Sequence, residues 1–527
     1  MDMARVEARV DQAVEEFGVT GKGVLVAIMD RGIDWENADF RNEDGTTRIE
    51  YIFDLTDDRR AKRRNPYKMG TIYTKNEINE ALEKGKKLAT CDNSGHGTTT
   101  TGIASGSGRN SPDRKYRGIA PEASLLIVKI CTDPTPAFGD EPAVEGVYDG
   151  ARLPVAFEFI AEKARELKMP CVMLLNIGSQ GGPTDGTSEL CRQIDATVGP
   201  GKPGLVFVTG PGDDGGRDNR AGGTIKQDED LELKFRKESE EPITVQVWYP
   251  DEDHVEFSVR TLKREFGPFP APTRNKKTEI ADKKEFTYYH TAGDASPTRP
   301  TSNKRDIWLQ IKGPPREYAL ILHGKRIKNG RFNATIGPNA PAATWPPFNS
   351  FLNHLEPGSI WDGATARHNI CPGDYVVRTE WTDIDGNPGA KLDQGKPGEL
   401  WTGSSTGPTF DGRLGVDFCT PGDSVFTTYN PRSHWATFRN NLIHDGNGLY
   451  GGASAVSASA PLATGVIALM LQMNPKLDAL QVKAILQQTA RSDEFTGETP
   501  NPSWGYGKLD AHAAVKAVKN TLSNGGR

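Results

Sequence analysis

Cysteine is scarce in this 527-residue sequence. Cys91, Cys131, Cys171, Cys191, Cys371 and Cys419 are scattered and form no CxxC pair. That excludes a ribbon-type zinc site and a fold stapled by disulfides, and leaves reduced thiols as the default. Long hydrophobic runs are also missing. The most apolar stretch, Leu462–Met473, falls well short of the roughly 20 residues that span a bilayer. Met1–Glu16 is charged and has no secretory-leader pattern, so the expectation leans toward a cytoplasmic protein if Met1 is the natural start. Charge of one sign does not dominate. Lys and Arg number 64 against 70 Asp and Glu, mixed along the chain for a net charge of -6. No basic stripe points to nucleic acid and no polybasic arm points to a membrane surface.

The remainder is long enough for a large core and for more than one domain. Met1–Phe17 has the pattern of one amphipathic helix, a segment (1–17) distinct from the α/β pattern beyond it. Val24–Met29, Leu125–Ile130, Cys171–Asn176 and Leu205–Val208 are continuous apolar runs, the pattern of strands buried on both faces. Helical spacing at Pro154–Leu167 and Ser188–Val198 separates them, which predicts a mainly parallel sheet in an α/β fold. Tyr51–Leu88 is charged and reads as a surface excursion. From about Ala221 the pattern changes to period two. Val255, Phe257 and Val259 alternate with Glu256, Ser258 and Arg260, and Thr244–Tyr249, Phe286–His290, Ile307–Lys312 and Tyr318–Leu322 behave alike. These predict an inserted antiparallel β domain over 221–347, between α/β parts at 18–220 and 348–527. Its aromatics read as core rather than as a sugar-binding platform.

Three short stretches carry chemistry-bearing residues. Asp30 ends the first apolar run, and the carboxyl ends of strands in open α/β sheets are where reacting groups gather. Alone it reads more readily as a cap for the turn Arg31–Asp34. His96 stands between two glycines in Asn93-Ser-Gly-His-Gly-Thr98, a frame that none of the other histidines shares. Ser457, in Gly451-Gly-Ala-Ser-Ala-Val-Ser-Ala-Ser-Ala-Pro461, opens an apolar helix whose unpaired N–H groups and dipole favour developing negative charge. Taken singly, that stretch is a core helix with a small-residue entry, and Pro461 reads as a first-turn proline.

Together the three frames are far more specific. Val26-Ala-Ile-Met-Asp-Arg-Gly-Ile-Asp34, the His96 frame with Gly102-Ile-Ala, and Ser457-Ala-Ser-Ala-Pro461 with Gly465 resemble the aspartate, histidine and serine motifs of the subtilisin-like serine proteases (subtilases), in the subtilisin order. Arg117-Gly-Ile-Ala-Pro-Glu122, Thr420-Pro-Gly422 and Gly505-Tyr-Gly-Lys-Leu-Asp510 add to the match. The place of the β insert, with Val247-Trp-Tyr-Pro250 and Asn329-Gly-Arg-Phe332, resembles the Csp-type bacterial germination proteases, which carry a jelly-roll insert there. The resemblance implies a three-layer subtilisin-like fold and a serine endopeptidase acting on peptides or proteins. Ser457 would be the nucleophile, His96 the base and Asp30 its orienting partner. An extended substrate would lie between two backbone segments, Asn176, Ile177, Gly178 and Ser179 on one side and Val208, Thr209 and Gly210 on the other.

Several positions depart from the subtilase pattern. The oxyanion-hole Asn is replaced by Asp213 in Gly210-Pro-Gly-Asp-Asp-Gly215, and the Gly-Thr before the serine by Ala455-Val456. An ionised Asp only accepts hydrogen bonds, whereas a protonated one donates. These changes predict a slow protease favoured by acid, with a peptide- or partner-binding pseudoprotease as the alternative. No cofactor is required by such chemistry. Structural calcium, common in subtilases, has only Asp39 to suggest it, and no metal-ligand set is expected. Oligomeric state is not legible.

Overall fold

Six parallel strands and one antiparallel edge strand make the principal sheet, in the order Asn369–Ile370, Leu205–Val208, Cys171–Leu175, Leu25–Asp30, Ser124–Lys129, Ile49–Asp54, Thr71–Thr74. This is a computed structural model, and it describes residues 1–61, 65–132, 149–178, 181–262, 264–272, 278–282, 285–292, 303–337 and 348–524. Every residue of Leu25–Asp30 is buried, as a strand covered on both faces requires. Two helices, His96–Ser105 and Val456–Met473, pack against each other and on this strand. The second is 18 residues long with a mean hydropathy of 1.5, yet 83% of it is buried in protein. It is apolar all round because it is a core helix. Leu153–Leu167 packs on the same central strands, with Phe157 against Phe207 and Phe159 against Phe53.

Three sequence expectations need correction. The stretch 51–88 is no mere excursion. Ile49–Asp54 lies inside the sheet beside Ser124–Lys129, and Thr71–Thr74 and the capped helix Lys75–Lys84 come after it. The N-terminal helix is two, Asp2–Glu7 and Val10–Phe17, broken at Arg9, whose φ of 57° is left-handed. Pro461 is not in the first turn. Its helix begins at Val456, so the proline sits deeper and withholds the N–H that the Ser457 carbonyl would otherwise accept.

The inserted β strands run from Arg220–Thr224 to Ser350–Phe351 in two antiparallel sheets of six and five strands. Their inward residues, among them Val245, Val247, Phe257, Leu320 and Phe286, form one apolar core separate from that of the principal sheet. The six-stranded sheet meets the α/β part at the loop 408–410, where Arg220 donates to Pro408 O and Arg331 to Phe410 O, and at the loop 182–185. Gln246 Oε1 accepts from Gly182 N at 3.3 Å, Asn333 Nδ2 donates to Pro183 O and Thr184 Oγ1, and Lys304 pairs with Asp185 at 2.7 Å.

Candidate active site

Each of the three frames folds for a local reason. Asp30 is the last residue of a buried strand, and its Oδ1 accepts from Arg31 N at 2.6 Å. The turn after it meets the histidine helix closely. A Cβ on Gly97 would stand 2.0 Å from the Gly32 carbonyl oxygen, so only glycine allows this approach. Asp92, fully buried, fixes the histidine loop. Its Oδ1 accepts from Gly95 N (2.8 Å) and Ser94 Oγ (3.0 Å), and its Oδ2 from Thr98 N (2.8 Å) and Thr98 Oγ1 (2.7 Å). Thr98 Oγ1 in turn accepts from Asp34 N at 2.9 Å, tying the loop back to the aspartate frame.

The outcome is a chain of two short contacts. His96 Nδ1 lies 2.7 Å from Asp30 Oδ1, and His96 Nε2 lies 2.9 Å from Ser457 Oγ. A carboxylate at Nδ1 requires the proton there, which leaves Nε2 to accept from the serine hydroxyl. Burial lowers the His96 pKa and is the largest single influence, but the Asp30 charge and the hydrogen bond to Asp30 together outweigh it and the net shift is upward. Trp435 lies edge-on to the imidazole, with ring centroids 5.5 Å apart.

Ser457 is held from behind by Asn176. Its Nδ2 donates to the Ser457 carbonyl at 2.9 Å and to Thr100 Oγ1 at 2.8 Å. The first of these replaces the bond that Pro461 cannot make, so proline and asparagine form a matched pair. Before the serine, Ala455 has φ 71° and ψ 179°, a region essentially reserved for glycine. Gly210 lies under Val456, where a Cβ would stand 2.1 Å from its Cγ1. Asp213 is half-buried, and its Oδ1 accepts from Val456 N at 3.1 Å. Desolvation raises its pKa to about 6, against the lowering effect of that hydrogen bond.

The other groove residues divide. Gly178 faces Trp361, and Ile177 is partly buried against the core. Ser179 lies outside the described residues. Val208 and Thr209 do not line an open groove. Val208 is a buried strand residue paired with Leu174 and Ile370, while Thr209 N donates to Asn369 Oδ1 and Thr209 O accepts from Asn369 Nδ2. Their backbones are already spent inside the sheet. Asp39 uses its carboxylate on Tyr450 Oη and Thr428 Oγ1. Among the described residues, no group of three or more His, Cys, Asp or Glu could hold a metal ion. Sequence reasoning missed Asp92 as the loop's anchor, although it stands immediately before the Asn93–Thr98 frame. It also missed Trp361 and Trp435, for which no local pattern exists.

An aspartate–histidine–serine chain in this order, with Asp30 at the end of a parallel strand and His96 and Ser457 in the first turns of two helices, defines the subtilisin-like class. Residues 21–507 match the Subtilase family, and the chain belongs to it. It is similar to the major intracellular serine protease of Bacillus subtilis (strain 168), 28% identical over 203 residues, which is 38% of this chain and 47% of that protein. It is 36% identical over 110 residues to PC3-like endoprotease variant B of Hydra vulgaris, 18% of this chain and 15% of that one. These matches span about half of the first relative's length and less of the second's. In fold it is similar to the Clostridium perfringens CspB protease, with a TM-score of 0.73 at 21% identity, covering 98% of both chains. The expected likeness to the Csp-type group holds at the level of fold.

Proposed function

We propose that the protein is a serine endopeptidase that hydrolyses peptide bonds through an acyl-enzyme formed on Ser457. The observation that carries this reading is the pair of contacts at 2.7 and 2.9 Å linking Asp30, His96 and Ser457. Ser457 Oγ attacks the scissile carbonyl as His96 Nε2 takes its proton, and Asp30 stabilises the imidazolium that results. His96 then protonates the leaving amine, and the same steps with water release the acyl group. The N–H of Ser457, in the first helical turn, supplies one donor to the oxyanion. Asp213 supplies the second while it is protonated. One carboxyl oxygen accepts from Val456 N and the other, as O–H, faces the developing charge. The substrate is a peptide or protein in extended form, seated between the segments at 176–178 and 210–212.

A second reading is favoured by Asp213 itself. An ionised carboxylate there would leave a site that binds peptides without turning them over. The test is fluorophosphonate labelling and peptide hydrolysis across pH, on the wild type and on Ser457→Ala. Labelling and hydrolysis that both vanish in the variant support the protease. Peptide binding with neither labelling nor hydrolysis at any pH refutes it in favour of the second reading.

A further inference from the structure

Two glycines on opposite sides of the proposed groove touch one indole. A Cβ on Gly178 would stand 2.8 Å from Trp361 Cε3, and a Cβ on Gly212 would stand 2.4 Å from Cδ2, Cε2 and Nε1 of the same ring. The ring therefore spans the gap between the segment just after Cys171–Leu175 and the one just after Leu205–Val208. This gap adjoins the reacting serine, because Gly212 precedes Asp213, whose Oδ1 accepts from the N–H immediately before Ser457. A side chain entering there belongs to the substrate residue whose carbonyl is attacked.

The indole is anchored at both ends. Trp361 N donates to Pro211 O at 2.8 Å, and Nε1 donates to Asp214 Oδ2. Asp214 is itself held, with Oδ1 2.7 Å from Arg217 and its N–H donating to Ser405 Oγ at 2.9 Å. The next residue, Asp362, is buried and accepts from Thr184 N at 3.1 Å. Swinging the ring aside would break the Nε1 bond and uncover both glycine faces, so the slot has fixed depth.

Resting on the protease reading above, we infer that Trp361 sets specificity by closing this slot to all but glycine, alanine or serine at the residue before the cut. A large apolar side chain, which would otherwise gain most from burial in such a slot, meets the indole instead. The restriction arises from a residue beyond the β insert.

The test uses Ser457→Ala protein, so that binding is read without turnover. Calorimetry compares two hexapeptides that differ only in alanine or phenylalanine at the residue before the scissile bond. The alanine peptide should bind tenfold or more tightly, and adding Trp361→Ala should invert the preference by a similar factor. Trp361→Phe, smaller and without the N–H, should fall between. A Trp361 that served only to support the fold would weaken both peptides equally, and that result overturns the inference. So does an initial preference for phenylalanine, or the failure of either peptide to bind at millimolar concentration. Wild-type hydrolysis is measured alongside. An inverted preference with no hydrolysis sinks the protease reading and leaves the slot, whereas hydrolysis without inversion does the reverse.

Discussion

Replacing Asp213 by asparagine should convert an acid-favoured enzyme into one active at alkaline pH. On the mechanism proposed above, wild-type turnover needs two groups in opposite states, Asp213 protonated and His96 neutral. Asp213 has a pKa of about 6, while that of His96 is raised above its ordinary 6.5. Even at that ordinary value, the productive combination would peak at about one molecule in eight near pH ~6.3, and raising His96 lowers the ceiling. Above pH 6 the protonated share of Asp213 falls tenfold per unit, to about 1% at pH 8. Asparagine accepts from Val456 N with its oxygen and donates with its amide at every pH. The Asp213→Asn variant should therefore exceed the wild type by about twofold at pH 6, about tenfold at pH 7 and about a hundredfold at pH 8. That last figure lies within the roughly 10²–10³ lost with one oxyanion donor. The assay is kcat/KM on a quenched-fluorescent peptide from pH 5.5 to 9. A variant-to-wild-type ratio that stays constant across this range would refute the reasoning.

Asp30→Asn should favour the wrong imidazole tautomer and lower kcat by roughly 10⁴; steady-state kinetics with the wild type's own peptide would show it. Ala455→Gly should relieve strain of about 1–3 kcal/mol at φ 71°, less about 0.5–1 kcal/mol for glycine's freedom in the unfolded chain. Urea unfolding should register a higher midpoint, and a lower one would mean the backbone there is not strained. Asn333→Ala removes buried donors to Pro183 O and Thr184 Oγ1, at a cost of about 1–3 kcal/mol. Because the affected loop comes directly after the proposed groove segment, KM should rise more than kcat falls.

The parts most legible in the sequence were those whose chemistry is local. Asp30, His96 and Ser457 each need a particular turn around them, so small residues and glycines cluster within a few positions of each. Leu25–Asp30 was legible because burial on both faces leaves no polar position, and the insert because burial on one face imposes alternation. Ile49–Asp54 was hidden because Glu50 and Asp54 interrupt its apolar run and charged residues crowd in just after it. The role of Asn176 needed the fold. Only when Pro461 proved to be inside its helix did the Ser457 carbonyl emerge as an acceptor in want of a donor. Trp361 was the least legible, since it enters its slot from beyond an entire inserted domain and nothing near Gly178 or Gly212 announces it.

The order of the chain also sets a clock. His96 and Ser457 lie 361 residues apart in the chain. At 5–20 residues per second, the serine leaves the ribosome on the order of 20 to 70 s after the histidine. Until then the first half has neither the proposed nucleophile nor the apolar helix that fills its core. On the mechanism proposed above, a nascent chain cannot cleave its neighbours or itself until residue 457 has emerged, by which time the β domain has had time to fold.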